Sequence, residues 1–141
     1  MSVYVDTSCL LTIFLMEAAS ARVQELFAVE ETLVVSNLVR LEALQSLLGL
    51  RLGGRITPLQ HKRLVNKIEE MLQMPPFEMR AFPTSAMENA ERQNRQGVYC
   101  KTLDSLHLGV MASFSLKRLL TNDDQQAAAA RALGFTVLMP R

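Results

Sequence analysis

Cysteine is scarce in this chain: Cys9 and Cys100 are the only two among 141 residues. Two thiols that far apart make neither a disulfide framework nor a cysteine-rich metal motif. They read as buried, reduced side chains of a cytoplasmic protein. Charge of one sign is lacking too. A formal net charge of +1 excludes a strong overall pull on nucleic acid or membrane and leaves only local patches to consider. No apolar run approaches the length of a membrane-spanning helix. The N-terminus lacks the basic region that opens a secretory signal. Internal repeats, low-complexity tracts and long linkers are also missing. What is present is 49% hydrophobic residues, enough for a real core in one domain spanning 1–141.

The first stretch organises the rest. Val3-Tyr4-Val5 reads as a short buried strand. Asp6 follows at once, then Thr7 and Ser8, which can cap a helix starting at Cys9 and running through Leu15. Glu17 to Ser20 reads as a bend, and a second helix covers about Ala21 to Ala28. Leu33-Val34-Val35 is another unbroken apolar run, the kind that suits a parallel sheet buried on both faces. Ser36 and Asn37 can cap the next helix, whose stripe is Leu38, Leu41, Leu44, Leu47 and Leu48, with Glu42 on its border. Thr57-Pro58 opens a helix to about Gln73, and Pro75-Pro76 ends it. A third strand is expected at Phe77 to Phe82. A polar helix follows from Thr84 to Arg95, with Ala86, Met87 and Ala90 inward. Thr102 caps a helix to Phe114 with Leu103, Leu106, Val110 and Phe114 in register. Arg118 to Thr121 is a strand, Gln125 to Leu133 a helix, and Phe135 to Leu138 a last strand. Strands alternating with helices call for a mainly parallel sheet with helices on both faces.

Four acids share one kind of context. Asp6 and Asp123 follow strands, Asp104 lies near a helix start, and Glu42 is on the helix after the second strand. Right-handed crossovers bring the carboxyl ends of parallel strands to one edge, so these acids can converge. Helix capping and the helix dipole also favour acids at helix starts, and for Asp104 or Asp124 alone that explanation suffices. Glu42 and Asp6 are harder to explain that way. Converging carboxylates repel unless protons or a cation come between them. Oxygen ligands without Cys or His suggest Mg²⁺ or Mn²⁺, whose bound water can attack a phosphodiester.

At these residues the chain resembles a known family. The motifs Val5-Asp6-Thr7-Ser8, Asn37-Leu38-Val39-Arg40-Leu41-Glu42, Thr102-Leu103-Asp104-Ser105-Leu106-His107-Leu108 and Leu120-Thr121-Asn122-Asp123 look like those of a PIN domain. More narrowly they are similar to the VapC-type toxins of prokaryotic toxin–antitoxin pairs. The resemblance covers nearly the whole chain. It implies a three-layer α/β/α sandwich with a central sheet of four to five strands, and a metal-dependent endoribonuclease. It makes Asp6, Glu42, Asp104 and Asp123 the core acids, with Asp6, Asp104 and Asp123 on the metal. Thr7, Ser8 and Thr121 would steady acids or metal-bound waters, and Asp124 is an extra acid beside the fourth. The family also implies a homodimer, an RNA substrate and an inhibitory antitoxin.

Other residues are weaker candidates. His107 can touch Asp104 one turn away, but it reads as a packed, hydrogen-bonded side chain and not as a base. Tyr4 reads as core with its hydroxyl satisfied. The basic cluster of Arg51, Arg55, His61, Lys62, Arg63 and Lys67 can hold RNA phosphates or form a solvated helix face. Arg40 can reach a phosphate or an acidic neighbour. Two other readings remain at this point: a silent PIN-like domain that binds RNA or protein, and a phosphatase with Asp6 as nucleophile. The first sits poorly with four retained acids. The second wants a lysine motif that Lys101 and Lys117 do not provide.

Overall fold

The computed structural model describes residues 1–15, 20–30 and 32–140. The strands are β1 (Ser2–Val5), β2 (Thr32–Ser36), β3 (Phe77–Arg80), β4 (Arg118–Leu120) and β5 (Thr136–Leu138). They form one parallel sheet in the order β3-β2-β1-β4-β5. The central strands are apolar throughout because both faces are covered: Val3, Tyr4, Val5, Leu33, Val34, Val35, Leu119 and Leu120 are all buried.

The helices are α1 (Thr7–Phe14), α2 (Ser20–Val29), α3 (Asn37–Leu52), α4 (Pro58–Leu72), α5 (Ala86–Arg95), α6 (Thr102–Ser113) and α7 (Asp124–Ala132). The first four pack on one another, and α6 packs with α5 and α7. The chain winds from β1 outward to β3, then returns past β1 to β4 and β5. Right-handed crossovers therefore put the two helix groups on opposite faces, giving the expected α/β/α sandwich. The strand order reverses direction between β1 and β4. That is the place where the loops leaving two neighbouring strands diverge and a crevice opens.

Local signals hold well. Thr57 and Gln60 form a capping box ahead of Pro58, and Ser36 caps α3 by accepting the Val39 N–H. Gly97 ends α5 with a φ of 82°. The expected bend at Glu17 to Ser20 falls, except for Ser20, outside the described residues.

Three helix faces differ from expectation. In α3 the buried stripe is Val39, Ala43 and Leu47, while Leu41 is 56% exposed and Leu48 36%. Residues 39, 43 and 47 repeat every four positions and lie under the sheet-facing side; Leu41, Leu44 and Leu48 fall on the other side, toward α4. In α6 Leu103 is exposed and the inward residues run from His107 to Met111. In α5 Met87 is exposed and Ala86, Ala90 and Gln93 face inward; the small Ala86 and Ala90 let α6 approach closely.

That approach depends on Gly109. A Cβ there would lie 2.4 Å from the main-chain oxygen of Ala86. Alanine is the better helix former by about 1 kcal/mol. The clash is with backbone, however, so Gly109→Ala is expected to destabilise the protein by about 1–3 kcal/mol. Urea denaturation checks this, and a gain in stability would contradict the packing described.

Candidate active site

Asp6 and Asp123 flank the crevice between β1 and β4. The Asp6 N–H donates to Leu120 O at 3.0 Å, which fixes it beside the end of β4. Asp6 is the N-cap residue of α1, yet its carboxylate makes no capping bond. The side chain is only 5% exposed. Its Oδ2 accepts the Ser8 hydroxyl at 2.8 Å and the Thr121 hydroxyl at 3.0 Å. Ser8 Oγ also accepts the Asn122 N–H at 3.1 Å, tying the turn after β1 to the turn after β4.

Thr121 has one hydroxyl hydrogen, and Asp6 takes it. Its oxygen accepts the Asp123 N–H at 3.1 Å and lies 3.0 Å from the side-chain amide of Gln126. That amide must then present its N–H₂ to Thr121, which also gives the buried Gln126 Nε2 a partner. Asp123 caps α7, its Oδ1 accepting the Gln126 N–H at 2.9 Å. Capping thus accounts for one of its oxygens.

Glu42 belongs to a buried polar chain. Thr7 donates to Glu42 Oε1 at 3.0 Å, and His107 Nε2 bonds the same oxygen. A carboxylate only accepts, so Nε2 carries a hydrogen. His107 Nδ1 meets the Tyr4 hydroxyl at 2.8 Å, and Tyr4 meets Ser36 Oγ at 2.8 Å. Burial holds the Tyr4 phenol well above its ordinary value, so it remains a neutral hydroxyl in this chain. Burial also pushes the Glu42 carboxyl up. The hydrogen bond and charge of His107 and the Thr7 hydroxyl outweigh it and hold Glu42 below the usual range.

Asp104 lies in the first turn of α6 and is half-buried. Burial, then the charges of Asp123, Asp6 and Glu42, push its carboxyl up to about 6, against a smaller opposing effect of His107. Asp104 therefore lies within the fields of Asp6, Glu42 and Asp123, which come from other parts of the chain. Asp6 Oδ1, Glu42 Oε2, Asp123 Oδ2 and both oxygens of Asp104 have no hydrogen-bond partner among the described residues. Each anchored acid is thus held by one oxygen and leaves the other open. Among the described residues, no three His, Cys, Asp or Glu side chains close round a metal-sized point.

The PIN domain family model matches residues 3–132. The chain belongs to the PIN domain family. No curated protein matches it. Among solved structures, this PIN domain superposes on the DNA-bound VapBC complex of Salmonella typhimurium with a TM-score of 0.71, at 18% identity over 100% of both chains. VapBC2 of Rickettsia felis, bound to a promoter DNA fragment, gives 0.71 at 14% identity, covering 99% of this chain and 98% of that one. VapC20 of Mycobacterium tuberculosis, a sarcin–ricin loop cleaving toxin, gives 0.70 at 17% identity, covering 95% and 96%.

The other expected site residues of the PIN domain separate. Asp124 is exposed in the first turn of α7 and is not among the charges acting on Asp104; Asp123 is. Arg40 reaches an acidic neighbour, Glu69, at 3.1 Å. Arg51, Arg55, Lys62 and Arg63 are exposed around the α3–α4 turn. Arg51 is nine residues beyond Glu42 on α3, roughly 13 Å along the helix, so this cluster is not part of the acidic crevice. His107 turns to Glu42 and Tyr4, and Asp104 is not its partner. Cys100 is only half-buried, unlike Cys9, so the expectation of two buried thiols holds for one. Gln126 and Ser36 were not expected in the site; their only sequence signal is a position near a helix start.

The raised Asp104 carboxyl has a measurable consequence. Its folded value lies above the ordinary 3.8, so its protonation favours the folded state. In metal-free protein that stabilisation is present below pH 3.8 and is lost as the pH rises through about 6. Carbon-detected NMR should place the Asp104 midpoint near 6 and move it down in Asp123→Asn. An unchanged midpoint in that variant would mean the two acids do not share a site.

Proposed function

We propose that this chain is a Mg²⁺- or Mn²⁺-dependent endoribonuclease, the toxin of a VapC-type toxin–antitoxin pair. The observation that carries the proposal is the crowding at Asp104, whose carboxyl is pushed up by burial and then by acids from three other elements. His107 pairs with Glu42, but Asp6, Asp104 and Asp123 make no ion pair with a Lys, Arg or His among the described residues. Their donors are hard oxygens, which suit Mg²⁺ or Mn²⁺. Cys100 is close, but burial, Asp104 and Asp123 raise its thiol, which keeps it protonated and a poor ligand. The lack of a closed three-residue cage among the described residues also fits, because Mg²⁺ keeps several waters and binds through one or two carboxylates.

Asp6, Asp104 and Asp123 would hold the ion directly or through water. When bound, such an ion supplies a nucleophilic water at neutral pH and offsets the charge of the phosphate. The protein's own part is positioning. Ser8 and Thr121 hold Asp6 by Oδ2 and leave Oδ1 for a ligand. Thr7 and His107 hold Glu42 by Oε1 and keep it ionised, so Oε2 can orient a water or take its proton.

Cleavage of total RNA with Mg²⁺, Mn²⁺ or EDTA tests the proposal. Asp6→Ala and Asp104→Ala should lose cleavage while circular dichroism stays native. Thr121→Val, which removes a hydroxyl behind Asp6, should cost about 10- to 100-fold. Cleavage by Asp6→Ala at the wild-type rate would refute the assignment.

The same reading gives the protein an antitoxin partner and a second copy of itself. Support for a protein partner comes from the apolar groove of about 350 Å³ between α3 and α4, lined by Leu41, Leu44, Leu48, His61 and Val65. Isolated exposed leucines are ordinary, but a contiguous set is not. Leu41→Asp with Leu48→Asp should abolish co-purification with the product of the adjacent reading frame and leave RNA cleavage unchanged. Retained co-purification would place the partner elsewhere.

A further inference from the structure

We infer that the basic face around the α3–α4 turn and along α4 is a second contact for the RNA, gripping its phosphates a few nucleotides away from the bond that is cut. The inference rests on the ribonuclease reading above and adds to it a place where the strand is held.

Charge is unevenly distributed along the chain. No acid lies between Glu42 and Glu69, and that stretch carries Arg51, Arg55, Lys62, Arg63 and Lys67. Five of the fifteen Lys and Arg residues are concentrated there, which leaves ten to stand against all fourteen acids. The net charge of +1 is thus a segment of +5 on a chain that is otherwise −4. All five residues are exposed, and none makes an ion pair among the described residues. Arg22, Arg40, Arg80, Arg95 and Arg118, by contrast, each have a carboxylate partner. A solvated helix face laced with salt bridges alternates its signs. Here like charges repel with no acid between them, which costs the fold something and suits a polyanion.

Placement selects the polyanion. Thr7 opens α1 at the Glu42 carboxylate, and Phe14 closes it. Seven residues of helix put Phe14 roughly 10 Å from the crevice. Lys67 Nζ lies 5.8 Å from the centre of the Phe14 ring. Arg63, one turn back on α4, lines a cavity with Phe14 and Ile56. Arg55 adjoins Ile56, and Arg51 stands at the end of α3. The cations therefore begin at the far end of α1 and lead away from the acids. At about 3.4 Å per phosphate of stacked strand, the nearest cation meets the backbone about three phosphates from the crevice.

The gap matters as much as the charge. Bare carboxylates repel a backbone, and a bound ion offsets only the phosphate it touches. Salt confines that repulsion to about 8–10 Å at 0.1–0.15 M. A basic face beyond that range attracts the strand without neutralising the acids that hold the ion. Contacts of this kind supply affinity and carry no sequence information.

The test uses full-length protein in EDTA, where cleavage is off and the basic face lies outside the screened reach of the acids. The probe is an end-labelled twenty-nucleotide polyuridylate followed by anisotropy at about 50–200 mM salt. Arg55→Gln with Arg63→Gln and Lys67→Gln should lower the slope of log K against log salt by about 2, since each phosphate contact to a single strand contributes about 0.7. Binding at 100 mM salt should weaken roughly 10- to 100-fold. Arg55→Gln with Arg63→Gln alone should show about two thirds of the change in slope. Asp6→Ala should bind polyuridylate at least as tightly as wild type. With Mn²⁺ restored, the triple variant should cleave total RNA with a raised KM and an unchanged kcat. A fall in kcat as large as the rise in KM would overturn the grip and assign the loss to the fold or the crevice. Wild-type affinity and slope in the triple variant, with cleavage intact, would overturn it and leave the nuclease reading standing. An unchanged KM for RNA, with a twenty-residue polyglutamate that binds more tightly than polyuridylate and is lost in the same variant, would overturn it in favour of an acidic protein partner. Wild-type protein that neither binds nor cuts RNA would remove both readings.

Discussion

Carboxylates gathered in a half-buried crevice repel one another, and the polar part of this fold answers that repulsion. Asp6, Glu42, Asp104 and Asp123 come from four elements, yet each acts on Asp104 or is Asp104. Three of them are anchored through one oxygen only, by Ser8 and Thr121, by Thr7 and His107, and by the first turn of α7. An acid anchored that way cannot swing clear of its neighbours. The repulsion is kept in place, which favours whatever positive charge enters.

The sheet makes the gathering possible. Its strand order reverses between β1 and β4, so the turns that carry Asp6 and Asp123 lie side by side. From the opposite faces, α3 brings Glu42 and α6 brings Asp104. The α6 helix is seated by the Ala86–Gly109 approach, and its His107 is bonded through the core to Tyr4 and Ser36. Packing of α5 on α6 and the ionisation of Glu42 on α3 are thus linked through one buried imidazole.

Much of this was legible in the sequence because it depends on local rules. The apolar runs at Val3–Val5 and Leu33–Val35 specified central parallel strands, Thr57-Pro58 marked a helix start, and an acid directly after a buried strand marked Asp6. Helix faces were less legible. The leucines of α3 outweigh Val39 and Ala43 in hydrophobicity, but close helix packing selects small side chains, and hydropathy does not register that difference. The same reason misplaced Met87. Long-range hydrogen bonds were illegible. Tyr4 and His107 are 103 residues apart, and nothing local in either neighbourhood says that the two meet. His107 was correctly expected to be packed and hydrogen-bonded, but its partner is Glu42 and not the nearby Asp104.

The central claim is that these four carboxylates form one cation site. Anomalous X-ray scattering from crystals soaked in Mn²⁺ tests it most directly. A single strong peak within coordination distance of Asp6, Asp104 or Asp123 is the predicted result. Mn²⁺ bound only elsewhere, with the crevice holding water alone at saturating metal, would contradict it.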